Sequence, residues 1–140
     1  MIVYRVQNKY TAKGPFFEDG WLSSDITCNN YHACFISRGN YNSYPFIQHY
    51  LKVKGLSDLD LVNTVYCVLT IKSLYYWFNS KEVRYLLCKS KFYVYKYEVE
   101  NNNLIIFDNQ AVIINRYKAK QISEPLCVSK LLGASCDYCI

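Results

Sequence analysis

The stretch VYCVLTIKSLYYWFNSKEVRYLLCKSKFYVYKYEV, residues 65–99, changes its hydrophobic period twice, and those two changes decide the class of fold. VYCVLTI (65–71) is a short, continuous apolar run rich in β-branched side chains, the composition of a buried strand. From Lys72 onward the spacing turns helical, with Leu74, Trp77 and Phe78 at i, i+3 and i+4. Asn79 and Ser80 interrupt that pattern. Ser80 is the expected N-cap of a second helix, KEVRYLLCKS, whose apolar stripe is Val83, Leu86 and Leu87. FYVYKYEV (92–99) then alternates with period two. Its Tyr93/Tyr95/Tyr97/Val99 set is the expected core face, with Phe92/Val94/Lys96/Glu98 opposite.

Working outward, ENNN is a turn, LIIFD a strand, NQ the opening of another turn and AVIIN a further strand, with residues 116–124 extending the sheet. Upstream, IVYRVQ (2–7) reads as a strand. It carries Ile2, Tyr4 and Val6 on one face and Val3, Arg5 and Gln7 on the other. Lys13-Gly14-Pro15 ends it, because proline has no donor for a ladder. Residues 18–44 are irregular and rich in Asn, Ser, Asp and Gly, the kind of segment in which binding residues often sit. FIQHYLKV, after Pro45, is a short helix or an extended segment, and residues 56–60 are a link. The order of elements implies an α+β fold. It is a single domain over 1–140, mainly an antiparallel sheet with two or three helices, and residues 126–140 form a flexible tail.

Composition bounds the function. With 51% apolar and 19% charged residues the chain folds around a core. Its 15 tyrosines suit half-buried faces and contact surfaces, because each joins an apolar ring to a hydroxyl. A net charge of +5 favours acidic or phosphate-bearing partners, yet the basic residues are scattered from Arg5 to Lys130, so nucleic-acid binding is possible but not indicated. No apolar run is long enough to span a membrane and the N-terminus lacks a signal-peptide layout, which implies a cytoplasmic protein. Seven cysteines, an odd number, are then expected to be reduced thiols.

Motifs for chemistry are sparse. Cys28, His32 and Cys34 cluster, and Cys136 and Cys139 form a Cys-x-x-Cys pair, but their spacing differs from zinc ribbons and no metal site is expected. Cys34 or Cys67 beside His32 or His49 would suffice for a thiolate nucleophile, but nothing in the sequence brings these groups together. Glycine-rich phosphate loops and the His-Glu-x-x-His motif are absent. The pairs Asp58/Asp60 and Glu98/Glu100 read as solvated turn and strand-end residues.

Taken together, VYRV, GPF, SLYYWF followed by KEVRYLL, FYVYKYEV and FDNQAVII resemble small phage and bacterial proteins over residues 1 to 115. Those share a hydrophobic-Tyr-Arg opening, a Gly-Pro-aromatic turn, a Leu-x-x-Trp-Phe helix and a closing Gln-x-Val strand. The layout also resembles a reduced ADP-ribosyltransferase domain, in which an arginine on an early strand holds NAD, a central strand ends in a Ser/Thr motif and a late strand carries a glutamate. That resemblance implies ligand contacts for Arg5, Thr70, Ser73 and Gln110, with Glu98 as the catalytic carboxylate, since Gln110 carries no charge to stabilise the sugar cation. The expected function is that of a small phage- or mobile-element-type protein acting by binding in the host cytoplasm. It would inhibit a host defence protein or sequester a nucleotide signal. The alternative is an ADP-ribosyltransferase-like enzyme using NAD or a related nucleotide.

Overall fold

Strand β1 (Ile2–Asn8) is the element on which the others converge. A computed structural model describes residues 1–14, 55–57, 63–78, 81–107 and 110–131. After β1 come β2 (Val65–Cys67), helices α1 (Ile71–Trp77) and α2 (Lys81–Lys89), and β3 (Phe92–Glu98). They are followed by β4 (Leu104–Phe107), β5 (Gln110–Ile113), β6 (Lys120–Gln121) and helix α3 (Val128–Leu131). Single 3-10 turns lie at Asn101–Asn103 and Arg116–Lys118. None of the helices among the described residues is long and apolar enough to cross a membrane.

The strands form two three-stranded sheets, β1-β3-β6 and β2-β5-β4, with every pairing antiparallel. Among the described residues the sheets meet at one bridge, where Tyr4 N donates to Val68 O and Val68 N to Tyr4 O, each at 2.8 Å. Helices lie against the joined sheets, so the fold is α+β.

Both faces of β1 are covered, one by the helices and the other by residues of β2 and β5. On one face Val3 packs with Val65, Cys67, Val99, Ala111 and Ile113. On the other, Val6 packs with Val68, Leu74, Phe78, Val83, Leu87, Phe92, Val94 and Val128, which brings all three helices onto the β1–β3 pair. This corrects the expectation for FYVYKYEV. Tyr95 and Val99 on the expected face are buried, but Phe92 and Val94 are fully buried too and face the helices, while Tyr93 and Tyr97 are only half-buried. Alternation separates the two faces of a strand, but it does not identify the drier one when both are covered.

The helical stripes hold at Leu74, Phe78, Val83 and Leu87. The strand read over 65–71 is shorter than expected, because Thr70 caps α1 and Ile71 already belongs to the helix. The stretch 116–124 adds only the two-residue β6 to the sheet. Within the stretch read as a tail, Leu126 pairs with Val94 and α3 buries Val128 and Ser129. The rest of that stretch, the N-cap at Ser80, the segment 46–53 and the Cys28/His32/Cys34 and Cys136/Cys139 clusters lie outside the described residues.

Phe92→Ala is expected to destabilise the protein by about 3–5 kcal/mol, the usual cost of emptying a fully buried ring site. Ile106→Ala, on the half-exposed side of β4, should cost below about 1 kcal/mol. Equilibrium denaturant unfolding checks both.

Candidate functional site around Arg5

Arg5 occupies the centre of β1, on the face it shares with Val3 and Gln7, and is only 8% exposed. A guanidinium in that position must have its donors satisfied within the protein. Its Nε donates to Gln7 Oε1 at 3.1 Å, Nη1 to the Tyr66 carbonyl on β2 at 2.8 Å, and Nη2 to the Ala12 carbonyl at 3.5 Å. Gln7 Oε1 also accepts the Tyr97 hydroxyl at 3.2 Å, and the Ala12 carbonyl also accepts Arg116 Nη2 at 3.2 Å. Arg5 thus ties β1 to β2 and to the turn that follows β1.

The turn itself is strained at Ala12, whose φ of 59° is unusual for a residue with a Cβ. Asn8 offsets that strain. Its Oδ1 accepts from Tyr10 N at 2.8 Å and Thr11 N at 3.1 Å, and its own N–H donates to Lys13 O at 2.8 Å. Gly14 then passes close to the guanidinium. A Cβ there would lie 3.3 Å from Arg5 Nη2, so the missing side chain is what lets the main chain run over the arginine.

Arg5 also bears on Cys67. Burial pushes the Cys67 thiol up to about 12, and the nearby Arg5 charge opposes that shift more weakly. Cys67 is therefore a protonated thiol at neutral pH, the wrong state for a nucleophile. Its sequence-suggested partners His32 and His49, and Cys34, lie outside the described residues.

Thr70 and Ser73 sit directly after β2. Thr70 Oγ1 accepts Ser73 N at 3.1 Å as the N-cap of α1, and the two hydroxyl oxygens are 3.0 Å apart. Gln110 is the first residue of β5 and lies across from Phe107. Because β5 pairs with β2 and β2 meets β1, the positions Arg5, Thr70/Ser73 and Gln110 lie on or just after three neighbouring strands. Glu98 does not join them. It is exposed at the end of β3 opposite Ile2, whereas Arg5 stands opposite Tyr95. Glu98 is three positions after Tyr95, and an odd offset puts them on opposite faces. The expected Arg5–Glu98 pair is thereby corrected, since the two do not share a face of the sheet.

Gln7 was findable in the sequence, two residues from Arg5 on the same face. Tyr66, Tyr97 and Arg116 were not, because contacts across 61 to 104 residues leave no local signal. Arg84 was also missed. It lies on α2, is 3% exposed, donates from Nη1 to the Phe78 carbonyl at 2.7 Å, and stands 5.2 Å from the centre of the Tyr75 ring. Its Nε is buried with no hydrogen-bond partner.

A family model described as "Bacteriophage T4 Y00F protein" matches residues 1–126. No curated protein and no solved structure matches the chain.

Two outcomes follow from the Arg5 geometry. Arg5→Met removes the hydrogen bonds that Arg5 donates to Gln7, Tyr66 and Ala12 and should cost about 2–4 kcal/mol in denaturant unfolding. Cys67 keeps its proton in the folded state well above the unfolded value of 9.0, so the folded state binds the extra proton between those two values. Stability therefore falls as pH rises from about 9 towards 12, with Cys67 contributing up to about 1.4 kcal/mol per pH unit. Urea titrations across that range should show a shallower fall for Cys67→Ala.

Proposed function

The chain belongs to the bacteriophage T4 Y00F protein family, and from that premise we propose that it acts by binding, blocking a host defence protein with no turnover of its own. The observation that carries this reading is the Tyr75–Arg84 pair on the α1–α2 face. Ile71 and Tyr75 are four residues apart on α1, and Tyr85 follows Arg84 on α2; all three side chains are large, apolar and 40–50% exposed. Tyrosine and arginine are the residue types that most often anchor protein interfaces, because a rigid ring or a planar cation gains much contact for little lost freedom. Arg84 is held in place beneath the Tyr75 ring, so this surface is ordered before a partner arrives.

In a bacterial strain whose defence system restricts the phage, expression of the wild-type protein should restore plaque formation. The Tyr75→Ala/Tyr85→Ala double variant should lose that effect while still unfolding cooperatively above the growth temperature, since both rings are half-exposed. Equal plaque recovery with the double variant would overturn the reading.

A second reading, sequestration of an NAD-like nucleotide, draws on the neighbouring positions of Arg5, Thr70/Ser73 and Gln110. Transfer of ADP-ribose needs a carboxylate for the sugar cation, and Gln110 is neutral while Glu98 is on the other face of the sheet. The nucleotide reading is therefore one of binding alone. NAD, ADP-ribose or a cyclic nucleotide at about 100 times its Kd would stabilise the folded state by about 2.7 kcal/mol. A thermal shift with one of these ligands that disappears in Gln110→Ala favours this reading, and no shift at millimolar ligand removes it.

A further inference from the structure

Two sulfurs meet where α2 packs against the start of α3. Cys88 lies in the last turn of α2 and is 0% exposed, whereas Cys127 directly precedes α3 and is partly exposed. Their Sγ atoms are 3.8 Å apart, and no disulfide joins them. The two residues are 39 positions apart in the chain, so no Cys-x-x-Cys spacing announces the pair.

Both sulfurs are held in place. Cys88 belongs to the apolar core with Leu87 and Val128, and its Sγ is also 3.4 Å from the buried Ser129 hydroxyl. Cys127 Sγ accepts the Lys130 N–H at 3.5 Å, and its carbonyl accepts the Leu131 N–H at 2.9 Å. One residue earlier, Leu126 exchanges two main-chain hydrogen bonds with Val94 on β3, at 2.8 and 2.9 Å. The fold therefore keeps a buried thiol in contact with a solvent-accessible one.

We propose that Cys127 is a site of oxidation by hydrogen peroxide and that Cys88 resolves it, closing a disulfide between α2 and the segment entering α3. The oxidant meets Cys127 first, because Cys88 has no exposed surface. The Cys127 sulfur attacks one peroxide oxygen and the O–O bond breaks. The departing hydroxide takes the Cys127 thiol proton and leaves as water, and the sulfur becomes a sulfenic acid. The Cys88 sulfur then attacks the Cys127 sulfur, so that the S–S bond forms as the S–O bond breaks. The Cys88 proton leaves with the hydroxyl as a second water. Two thiols are thus oxidised to one disulfide while one peroxide is reduced to two waters. This inference is independent of the α1–α2 surface.

The test treats the folded protein with equimolar hydrogen peroxide, blocks the remaining thiols with N-ethylmaleimide and maps the peptides by mass spectrometry. A linked pair of peptides carrying Cys88 and Cys127 should appear, lighter by two hydrogen atoms than the two thiol peptides together, and should vanish on treatment with dithiothreitol. With Cys88→Ala the sulfenic acid loses its resolving thiol, so dimedone should capture more of Cys127 than in the wild type. With Cys127→Ser, Cys88 should remain a thiol that reacts with maleimide after unfolding. The wild-type map decides the matter even where a variant fails to fold. A wild-type map without the Cys88–Cys127 link, Cys127 joined only to another cysteine, or Cys88 oxidised in folded Cys127→Ser would each overturn the proposal.

Discussion

The structure depends on the way a short main-chain junction is reinforced by a buried cation. Tyr4 and Val68 exchange two 2.8 Å hydrogen bonds, and that bridge is the one place among the described residues where the β1-β3-β6 and β2-β5-β4 sheets pair. One bridge between two three-stranded sheets would be a weak hinge. Arg5, the next residue, strengthens it by donating to the Tyr66 carbonyl on β2, and with Gln7 and Tyr97 it continues the polar contact onto β3. A guanidinium suits this task because its planar donors point in several fixed directions at once. A lysine would supply the charge but not the geometry.

From this junction the rest of the packing follows. The two faces of β1 each carry a core, one towards the helices and one towards β2 and β5. The Arg5 face is the mixed one. Val3 lies in an apolar cluster, while Arg5 and Gln7 carry the hydrogen bonds, and Cys67 beside them is kept protonated by its burial. Arg5 also reaches the turn through the Ala12 carbonyl, and Arg116 shares that acceptor, which links the β1 end to the 116–118 turn.

On the α1–α2 face a buried arginine lies beneath a half-exposed tyrosine. At the Arg5 junction the buried cation instead meets main-chain and glutamine oxygens. The first arrangement leaves a ring at the surface, whereas the second turns its donors into the fold.

Much of the architecture was legible in residues 65–99 and 2–7. Helical spacing at Leu74, Phe78, Val83 and Leu87, and alternation in β1 and β3, are imposed by backbone geometry within a few residues and so are written locally. The sequence by itself also put Arg5 and Gln7 on one face and made Gly14 a break. Only the tertiary structure decided that Phe92 and Val94 face the helices, that Glu98 lies on the face away from Arg5, and that Arg84 is buried. It also decided that Arg116 reaches the Ala12 carbonyl. Those outcomes depend on strand register and on hydrogen bonds between residues as many as 104 positions apart, and no local period encodes which distant carbonyl a side chain will reach.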